Sequence, residues 1–281
     1  MENYLSNDYG NLREVAEKHA GEYQSADPFP NIYFKNFFDA DYLDSVLAEF
    51  PDLSQKESIT YKNKKEIKFA GKGERFFGPK TKELMHFLNS EPFLNFLQIL
   101  TGIEEPLIAD PYFSGGGQHE IKRGGLLKVH ADFNKHPILE LDRRINVLIY
   151  LNKNWKEEYG GHFELWDEEM KECKKKILPE FNTMAIFSTT STSYHGHPDP
   201  LQCPEDMSRK SLALYYYSNG RPAHEIDDDN ESHSTLFQER KGNAGDKEAF
   251  QDKKKIKVKR LIKDFIPPII IKAKNSILNN S

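Results

Sequence analysis

The feature that most constrains the fold is a series of short apolar runs between residues 107 and 220, separated by Gly, Pro and Asn. The runs are rich in β-branched and aromatic residues, which favour strands over helices. The clearest four are INVLIYLN (145–152), HFELWD (162–167), TMAIFS (183–188) and SLALYYYS (211–218). Their length and spacing predict an antiparallel sandwich or jelly roll.

The first hundred residues have a different pattern. Apolar residues recur at helical spacing, and we predict helices over residues 7–20, 40–50, 79–89 and 91–101. Asp39 is the expected N-cap of the second helix, and Gly102 closes the fourth. An extended segment follows the first helix in DPFPNIYFKNFF (27–38), and a charged connection covers residues 54–74.

These patterns define an α+β protein with a mainly β core, in which the N-terminal helices pack on one sheet of the jelly roll. We divide the chain into a helical support region (1–106), a β core (107–220), a polar loop region (221–251) and a basic amphipathic tail (252–281). No internal repeat is visible.

Composition narrows the class of protein. The chain is 37% hydrophobic and 30% charged, so it has enough apolar material for a core. The two cysteines exclude a disulfide scaffold and fit a reducing compartment. Neither a secretory signal nor an apolar run of roughly 20 residues is present. We therefore expect a soluble, cytoplasmic protein.

Charge is distributed unevenly along the chain. The tail, residues 252–281, contains nine Lys/Arg and two Asp/Glu, a net charge of +7, so the whole-chain charge of −5 leaves −12 for residues 1–251. An acidic body argues against nucleic acid as a partner. The tail mixes these cations with Leu, Ile and Phe, which is typical of a segment on an anionic membrane surface, here the inner face. Docking on the acidic body or on another protein is the alternative.

Metal-ligating residues occur at three places in the β region. His130 and Asp132 lie two residues apart in the apolar run LLKVHADF (126–133), so both face the same side of a strand. His195 and His197 follow the strand TMAIFS, and Arg209 precedes the last strand. Two imidazoles and one carboxylate form the facial triad that binds Fe(II) with coordination positions left open. Zinc is the alternative metal, because the same ligands suit it.

With these motifs the sequence resembles the Fe(II)/2-oxoglutarate-dependent dioxygenases, in particular the prolyl 4-hydroxylase-like group. The segments RRINVLIYLNKNWKEEYGGHFELW (143–166) and FNTMAIFSTTSTSYHGHP (181–198) carry the resemblance beyond the triad. It covers residues 107–220 closely, residues 1–106 loosely and the remainder not at all. The resemblance implies a double-stranded β-helix, the jelly roll of this family.

The resemblance also assigns the metal ligands. His130 and Asp132 match the first two iron ligands, and His195 matches the third because it directly follows the Ser-Tyr at the strand end. His197 is the competing candidate for the third ligand. If His195 is the ligand, His197 is expected to lie beside the metal ligands or to face the substrate.

The co-substrate residues follow in the same way. Arg209 matches the basic residue that binds 2-oxoglutarate, with the loop DPLQCPEDMS (199–208) accounting for its long separation from His195. Tyr150 matches a tyrosine whose hydroxyl reaches the same carboxylate, and Asn146 a small polar residue beside the co-substrate. Gln118 and Tyr112 are further candidates on that side.

The implied activity is hydroxylation of an unactivated C–H with Fe(II), 2-oxoglutarate and O₂, supported by ascorbate and releasing succinate and CO₂. The substrate suggested by the resemblance is a prolyl residue of a peptide or protein. A small metabolite, or a sugar of a surface-polysaccharide or lipid-linked intermediate, is the alternative. A jelly-roll binding module without turnover is the alternative of another class. The Asp142-Arg143-Arg144 sequence either recognises an anionic substrate or forms a solvated strand entrance.

Overall fold

Four helices precede the main β region of this protein, whose computed structural model describes residues 4–55, 57–222, 225 and 232–250. The α-helices are α1 (Leu12–Gln24), α2 (Ala40–Ala48), α3 (Pro79–Leu88) and α4 (Glu91–Thr101). The Asp39 side chain accepts a hydrogen bond from the Tyr42 N–H and caps α2, and Gly102 ends α4 in the left-handed conformation. The first helix is shifted: residues 7–9 form a 3₁₀ turn, and α1 starts at Leu12 because Asn11 caps it.

The strands form one continuous antiparallel sheet that closes into a jelly roll. They are, in chain order, β1 (Asn31–Lys35), β2 (Ile59–Lys62), β3 (Glu66–Gly71), β4 (Ile108–Ala109), β5 (Gly117–Lys122), β6 (Leu126–Ala131), β7 (Asp142–Tyr150), β8 (Phe163–Trp166), β9 (Cys173–Ile177), β10 (Thr183–Ser188), β11 (His195–His197), β12 (Ser208–Ser218) and β13 (Leu236–Phe237). Their spatial order is β1-β10-β7-β12-β5-β3-β6-β11-β8-β9, with β2 on β3, β4 on β12 and β13 on β6. The predicted mainly β fold with N-terminal helices is confirmed.

Alternation along β7 and β10 separates the outside of the roll from its inside. Ile145, Val147 and Ile149 point outward and join the core formed with the helices. Tyr150 and Phe187 point inward and pack against β8. Since successive strand residues face opposite sides, one strand both anchors the helical layer and lines the interior.

The segment that we described as a charged connection, residues 54–74, contains the hairpin β2–β3. Strand β3 pairs with β5 through Phe69, Ala70 and Gly71 and with β6 through Glu66 and Ile67, so it joins the two halves of the roll. We described it as a connection because of its charge, although the alternation of charged and apolar residues in β3 is typical of a half-exposed strand. Its long-range partners, β5 and β6, lie about 50 to 60 residues further along the chain.

The polar region that we expected to be loop-like contains a strand and a helical segment among its described residues. Strand β13 pairs with β6 through Leu236 and Phe237. The chain divides into two units after Gln238, and in the second unit residues 244–250 are helical. The basic tail 252–281 lies outside the described residues, and its membrane contact stays a prediction. Among the helices that are described, none has the length and apolar character to cross a membrane.

We predict that Gly117→Ala destabilises the fold much more than Gly124→Ala. Both glycines have positive φ angles, of 111° and 76°, but a Cβ at Gly117 would lie 2.4 Å from the Gly71 carbonyl oxygen, whereas Gly124 has no atom within 4 Å. The cost should be about 1 kcal/mol at Gly124 from backbone strain and about 3 kcal/mol at Gly117, where steric overlap between β5 and β3 is added. Urea unfolding of the two variants measures the difference, and equal costs would contradict the close β3–β5 approach.

Candidate metal centre

Antiparallel pairing of β6 with β11 brings the first and third predicted ligands together. His130 on β6 lies directly opposite His195 on β11, although 65 positions separate them in the sequence. Their ring centroids are 4.5 Å apart. Asp132 follows the end of β6, and its side chain reaches the same point.

The three side chains form a cluster with one potential ligand atom each, all within 4.8 Å of one another. His130 Nε2 lies 3.3 Å from Asp132 Oδ1, and His195 Nε2 lies 3.4 Å from Asp132 Oδ2. Both histidines are about 95% buried, with 4% and 5% exposure. This is the only such cluster found among the described residues, and its two nitrogens and one carboxylate are the donor set of a ferrous facial triad.

The backbone selects the nitrogen that each histidine presents. His130 Nδ1 lies 2.9 Å from the Lys128 carbonyl oxygen, and His195 Nδ1 lies 2.9 Å from the Ser193 carbonyl oxygen. A carbonyl oxygen only accepts, so each Nδ1 carries the hydrogen, and each Nε2 keeps its lone pair for a metal. The rings are therefore oriented for metal binding before an ion arrives.

Asp132 is fixed by two buried partners on β7. Asn146 Nδ2 donates to Asp132 Oδ2 at 2.7 Å, and Arg143 Nη2 donates to the same oxygen at 3.0 Å. Arg143 is fully buried between the rings of Phe133 and Tyr215 and also donates to Asn146 Oδ1.

These contacts determine the charge of the carboxylate. Burial alone would raise the pKa of Asp132, but Arg143, together with His195 and His130, holds this pKa well below its usual range. The carboxylate is thus ionised at neutral pH, which is the form that binds a metal.

Arg209 lies in the same cavity as the triad. Its Nε donates to the Gly161 carbonyl oxygen at 2.8 Å, and its Nη2 donates to the Tyr150 hydroxyl at 3.4 Å. Arg209 is 5% exposed and makes no ion pair with any residue that the structure describes. Burial lowers its pKa and raises that of Tyr150. A buried guanidinium without a counter-charge is costly, and an anionic ligand would offset that cost.

The same cavity contains two basic residues that the sequence analysis did not single out. Lys68 lies on strand β3, which the sequence analysis did not predict. Its side chain lines the cavity, and its Nζ lies 3.4 Å from Glu66 Oε2. His119 on β5 also lines it, and burial lowers the pKa of His119 to about 3, with a smaller effect from Lys68. Strand alternation could have indicated that His119 faces the inside of the roll. The position of Lys68 in the cavity depends on the long-range pairing of β3, which no local pattern reveals.

The remaining candidates are placed as follows. His197 lines the cavity but is not part of the ligand cluster. Gln118 is buried and is not among the cavity-lining residues, and Tyr112 is 59% exposed on a neighbouring groove. Arg144 is buried against Glu105 and Ser218. Neither expectation for the Asp142-Arg143-Arg144 sequence holds, because both arginines are buried and engaged internally.

Comparisons with known proteins agree with this geometry. Residues 117–217 match the family model described as the 2OG-Fe(II) oxygenase superfamily. No curated protein matches the chain. A Pseudomonas putida prolyl-4-hydroxylase structure is similar with a TM-score of 0.53 and 12% identity, over 73% of this chain and 100% of that one.

Two further structures have the same fold. A Trichoplax adhaerens prolyl hydroxylase, solved in complex with a hypoxia-inducible-factor oxygen-degradation-domain peptide, gives a TM-score of 0.53 and 18% identity, over 74% of this chain and 90% of that one. The non-haem α-ketoglutarate-dependent epimerase SnoN from nogalamycin biosynthesis gives a TM-score of 0.51 and 11% identity, over 81% of this chain and 97% of that one.

The chain matches the 2OG-Fe(II) oxygenase superfamily over residues 117–217, which contain the His-Asp-His cluster, and its fold is similar to that of prolyl hydroxylases. It is a 2-oxoglutarate-dependent dioxygenase, and its cofactor set is Fe(II), 2-oxoglutarate and O₂. His130, Asp132 and His195 fit the iron.

We predict that Asn146→Ala weakens Fe(II) binding by about 10- to 100-fold, because the amide orients the Asp132 carboxylate. Chelator competition under anaerobic conditions measures the affinity. Ser211→Ala is the matched control, since Ser211 lines the same cavity without belonging to the ligand cluster. Equal iron affinity in the two variants would show that Asn146 has no part in positioning the ligand.

Proposed function

We propose that this protein hydroxylates an unactivated C–H of a peptide or protein, with a prolyl residue as the target, and releases succinate and CO₂. One observation carries the proposal: a buried, uncompensated Arg209 shares a cavity with a buried His-Asp-His cluster. The cluster suits a ferrous ion with open positions, and the guanidinium suits the distal carboxylate of 2-oxoglutarate through a bidentate charge-assisted pair.

The residues in and around the cavity have distinct roles in this reaction. His130, Asp132 and His195 would hold the iron, which when bound with 2-oxoglutarate and O₂ supplies the oxidising chemistry. Arg209 and the Tyr150 hydroxyl, which are 3.4 Å apart, would grip the far end of the co-substrate. Arg143 and Asn146 keep Asp132 ionised and oriented. We therefore revise the role of Asn146, because its amide is engaged by Asp132 and Arg143 rather than free for the co-substrate.

Apolar walls protect the site from water. Phe163 and Phe187 line the cavity and are 3% and 0% exposed, and the Phe187 ring lies 4.6 Å from the His195 ring. Excluding water strengthens each charged interaction inside the cavity and limits unproductive oxidation. This arrangement supports turnover rather than a binding module, since such a module would not need the complete cluster.

A groove beside the metal centre supports a peptide as the substrate. It has a volume of about 660 Å³, opens to solvent and contains Tyr112, Phe133 and Ile138, with Lys72 and Lys135 on its border. Phe133 directly follows Asp132 and packs edge-on against Tyr215, which lines the metal cavity. A chain laid in this groove would pass next to the iron. The structural likeness to a prolyl hydroxylase in complex with a peptide fragment supports the same substrate class.

A small molecule is the second candidate substrate. The likeness to the epimerase SnoN has a TM-score of 0.51, which is close to the values for the prolyl hydroxylases. The fold is thus compatible with both substrate classes. Mass spectrometry separates them: peptide libraries and small-molecule extracts incubated with enzyme, Fe(II), 2-oxoglutarate, O₂ and ascorbate are searched for a +16 Da product.

We predict that Asp132→Ala abolishes succinate formation while the protein stays folded. The variant loses the only carboxylate of the metal cluster and leaves the buried Arg143 without its ion pair, so its melting temperature should fall. Arg143 still donates to Asn146 and contacts the Phe133 and Tyr215 rings, and Asp132 itself contributes no apolar packing. Succinate is measured by mass spectrometry, and folding by circular dichroism. Succinate production at the wild-type rate in the variant, or none in the wild-type enzyme with Fe(II) and 2-oxoglutarate, would contradict the proposed function.

We predict that replacing Arg209 weakens 2-oxoglutarate binding without lowering the stability of the ligand-free protein. Arg209→Met should weaken 2-oxoglutarate binding by about 100-fold, because a buried charge-assisted pair is lost. The ligand-free variant should melt no lower than the wild type, because an uncompensated buried charge is removed. Thermal melts with and without 2-oxoglutarate test both parts, and a co-substrate-induced shift of wild-type size in the variant would exclude Arg209 as the anchor.

A further inference from the structure

His197 is a buried polar side chain whose hydrogen-bonding capacity is unused. It is 4% exposed, and neither Nδ1 nor Nε2 has a hydrogen-bond partner among the described residues. Most buried polar groups are hydrogen-bonded, and an unsatisfied one costs about 1–3 kcal/mol. The imidazole therefore calls for a partner that the polypeptide does not supply.

The position of His197 on β11 directs the side chain into the cavity. His195 and His197 are two residues apart on the strand and both line the cavity. Between them, the Gly196 Cα faces β6 so closely that a Cβ would lie 2.8 Å from the Leu127 carbonyl oxygen. The β6–β11 register shifts at this point, so that His197 pairs with Leu127 and lies beyond the ligand cluster.

The β8 side of the strand brings His197 towards Arg209. His195 pairs with Leu165 and Gly196 with Glu164 on β8, and Phe163, the preceding residue of β8, lines the cavity together with His197. Gly161, two residues before Phe163, accepts the hydrogen bond from Arg209 Nε. Besides the metal cluster, the cavity is thus lined by an imidazole and a guanidinium that have no hydrogen-bonding or charged partner, respectively, among the described residues.

We infer that His197 is a second anchor for the distal carboxylate of 2-oxoglutarate and a determinant of co-substrate specificity. The inference rests on the proposed function. A carboxylate has two oxygens with about four lone-pair directions, more than one guanidinium satisfies. Arg209 Nε is already bonded to Gly161, so the carboxylate would bind the terminal nitrogens, of which Nη2 also donates to the Tyr150 hydroxyl. A donated N–H from His197 would occupy a further lone pair and satisfy the buried ring.

An apolar role does not explain the residue equally well. Ile121, Leu127 and Phe163 already give the cavity apolar lining. A leucine at position 197 would fill the same space without a buried unsatisfied nitrogen. His119, in contrast, also lines the cavity, but it already has a hydrogen-bonding partner in the Gly115 backbone.

The test compares two 2-oxo acids on three proteins. Wild type, His197→Leu and His197→Gln are loaded with Fe(II) under anaerobic conditions, and binding of 2-oxoglutarate and of 2-oxopentanoate is measured by calorimetry. 2-Oxopentanoate has the same carbon chain with a methyl group in place of the distal carboxylate. We expect His197→Leu to bind 2-oxoglutarate about tenfold more weakly, the effect of one lost hydrogen bond to a charged group. Its affinity for 2-oxopentanoate should change by less than about twofold on the same principle.

His197→Gln keeps an N–H donor and should recover most of the 2-oxoglutarate affinity. Iron affinity and melting temperature are measured on all three proteins to establish that the site is intact. The inference is overturned if His197→Leu binds 2-oxoglutarate as wild type does, or if it loses affinity for both acids equally. A wild-type protein that binds neither acid would instead refute the proposed function, so the two failures are distinguishable.

Discussion

The site depends on one strand pairing, that of β6 with β11. Register places His130 opposite His195, and a slip by one residue would turn one imidazole out of the cavity, since successive strand residues face opposite sides. The register is supported on both sides. Strand β3 pairs with β6 beside Leu127, and β8 pairs with β11 at His195. The metal centre is therefore a product of the closed sheet rather than of a local loop.

Charge in the cavity is arranged for function at the expense of stability. Asp132 is paired with Arg143. Within the part of the chain that the structure describes, Arg209 has no counter-ion and His197 has no hydrogen bond. Such groups destabilise an empty site, and ligands that supply the missing partners bind more tightly for the same reason. The distal carboxylate of a 2-oxo acid would supply both missing partners. The Arg209 guanidinium, which has no counter-ion among the described residues, agrees with an anionic co-substrate.

Sequence predicted the parts of this structure that local patterns determine. The strands between residues 107 and 220 and the shared face of His130 and Asp132 follow from alternation and residue type, whereas the choice of His195 over His197 came from the resemblance to a known family. The β2–β3 hairpin did not, because its polar, half-exposed sequence pairs with strands far away along the chain. For the same reason sequence missed Lys68 and mistook the buried Arg143 for a surface or substrate-facing residue. Which neighbours share a cavity is decided by register, and one sequence alone does not reveal it.

The most direct measurement of the central claim is an anomalous-difference map from crystals grown anaerobically with Fe(II) and 2-oxoglutarate. The account predicts one iron peak within bonding distance of His130 Nε2, His195 Nε2 and the Asp132 carboxylate, and a co-substrate whose distal carboxylate contacts Arg209. An iron peak bound by His197 in place of His195, or a co-substrate that leaves Arg209 without a partner, would contradict it.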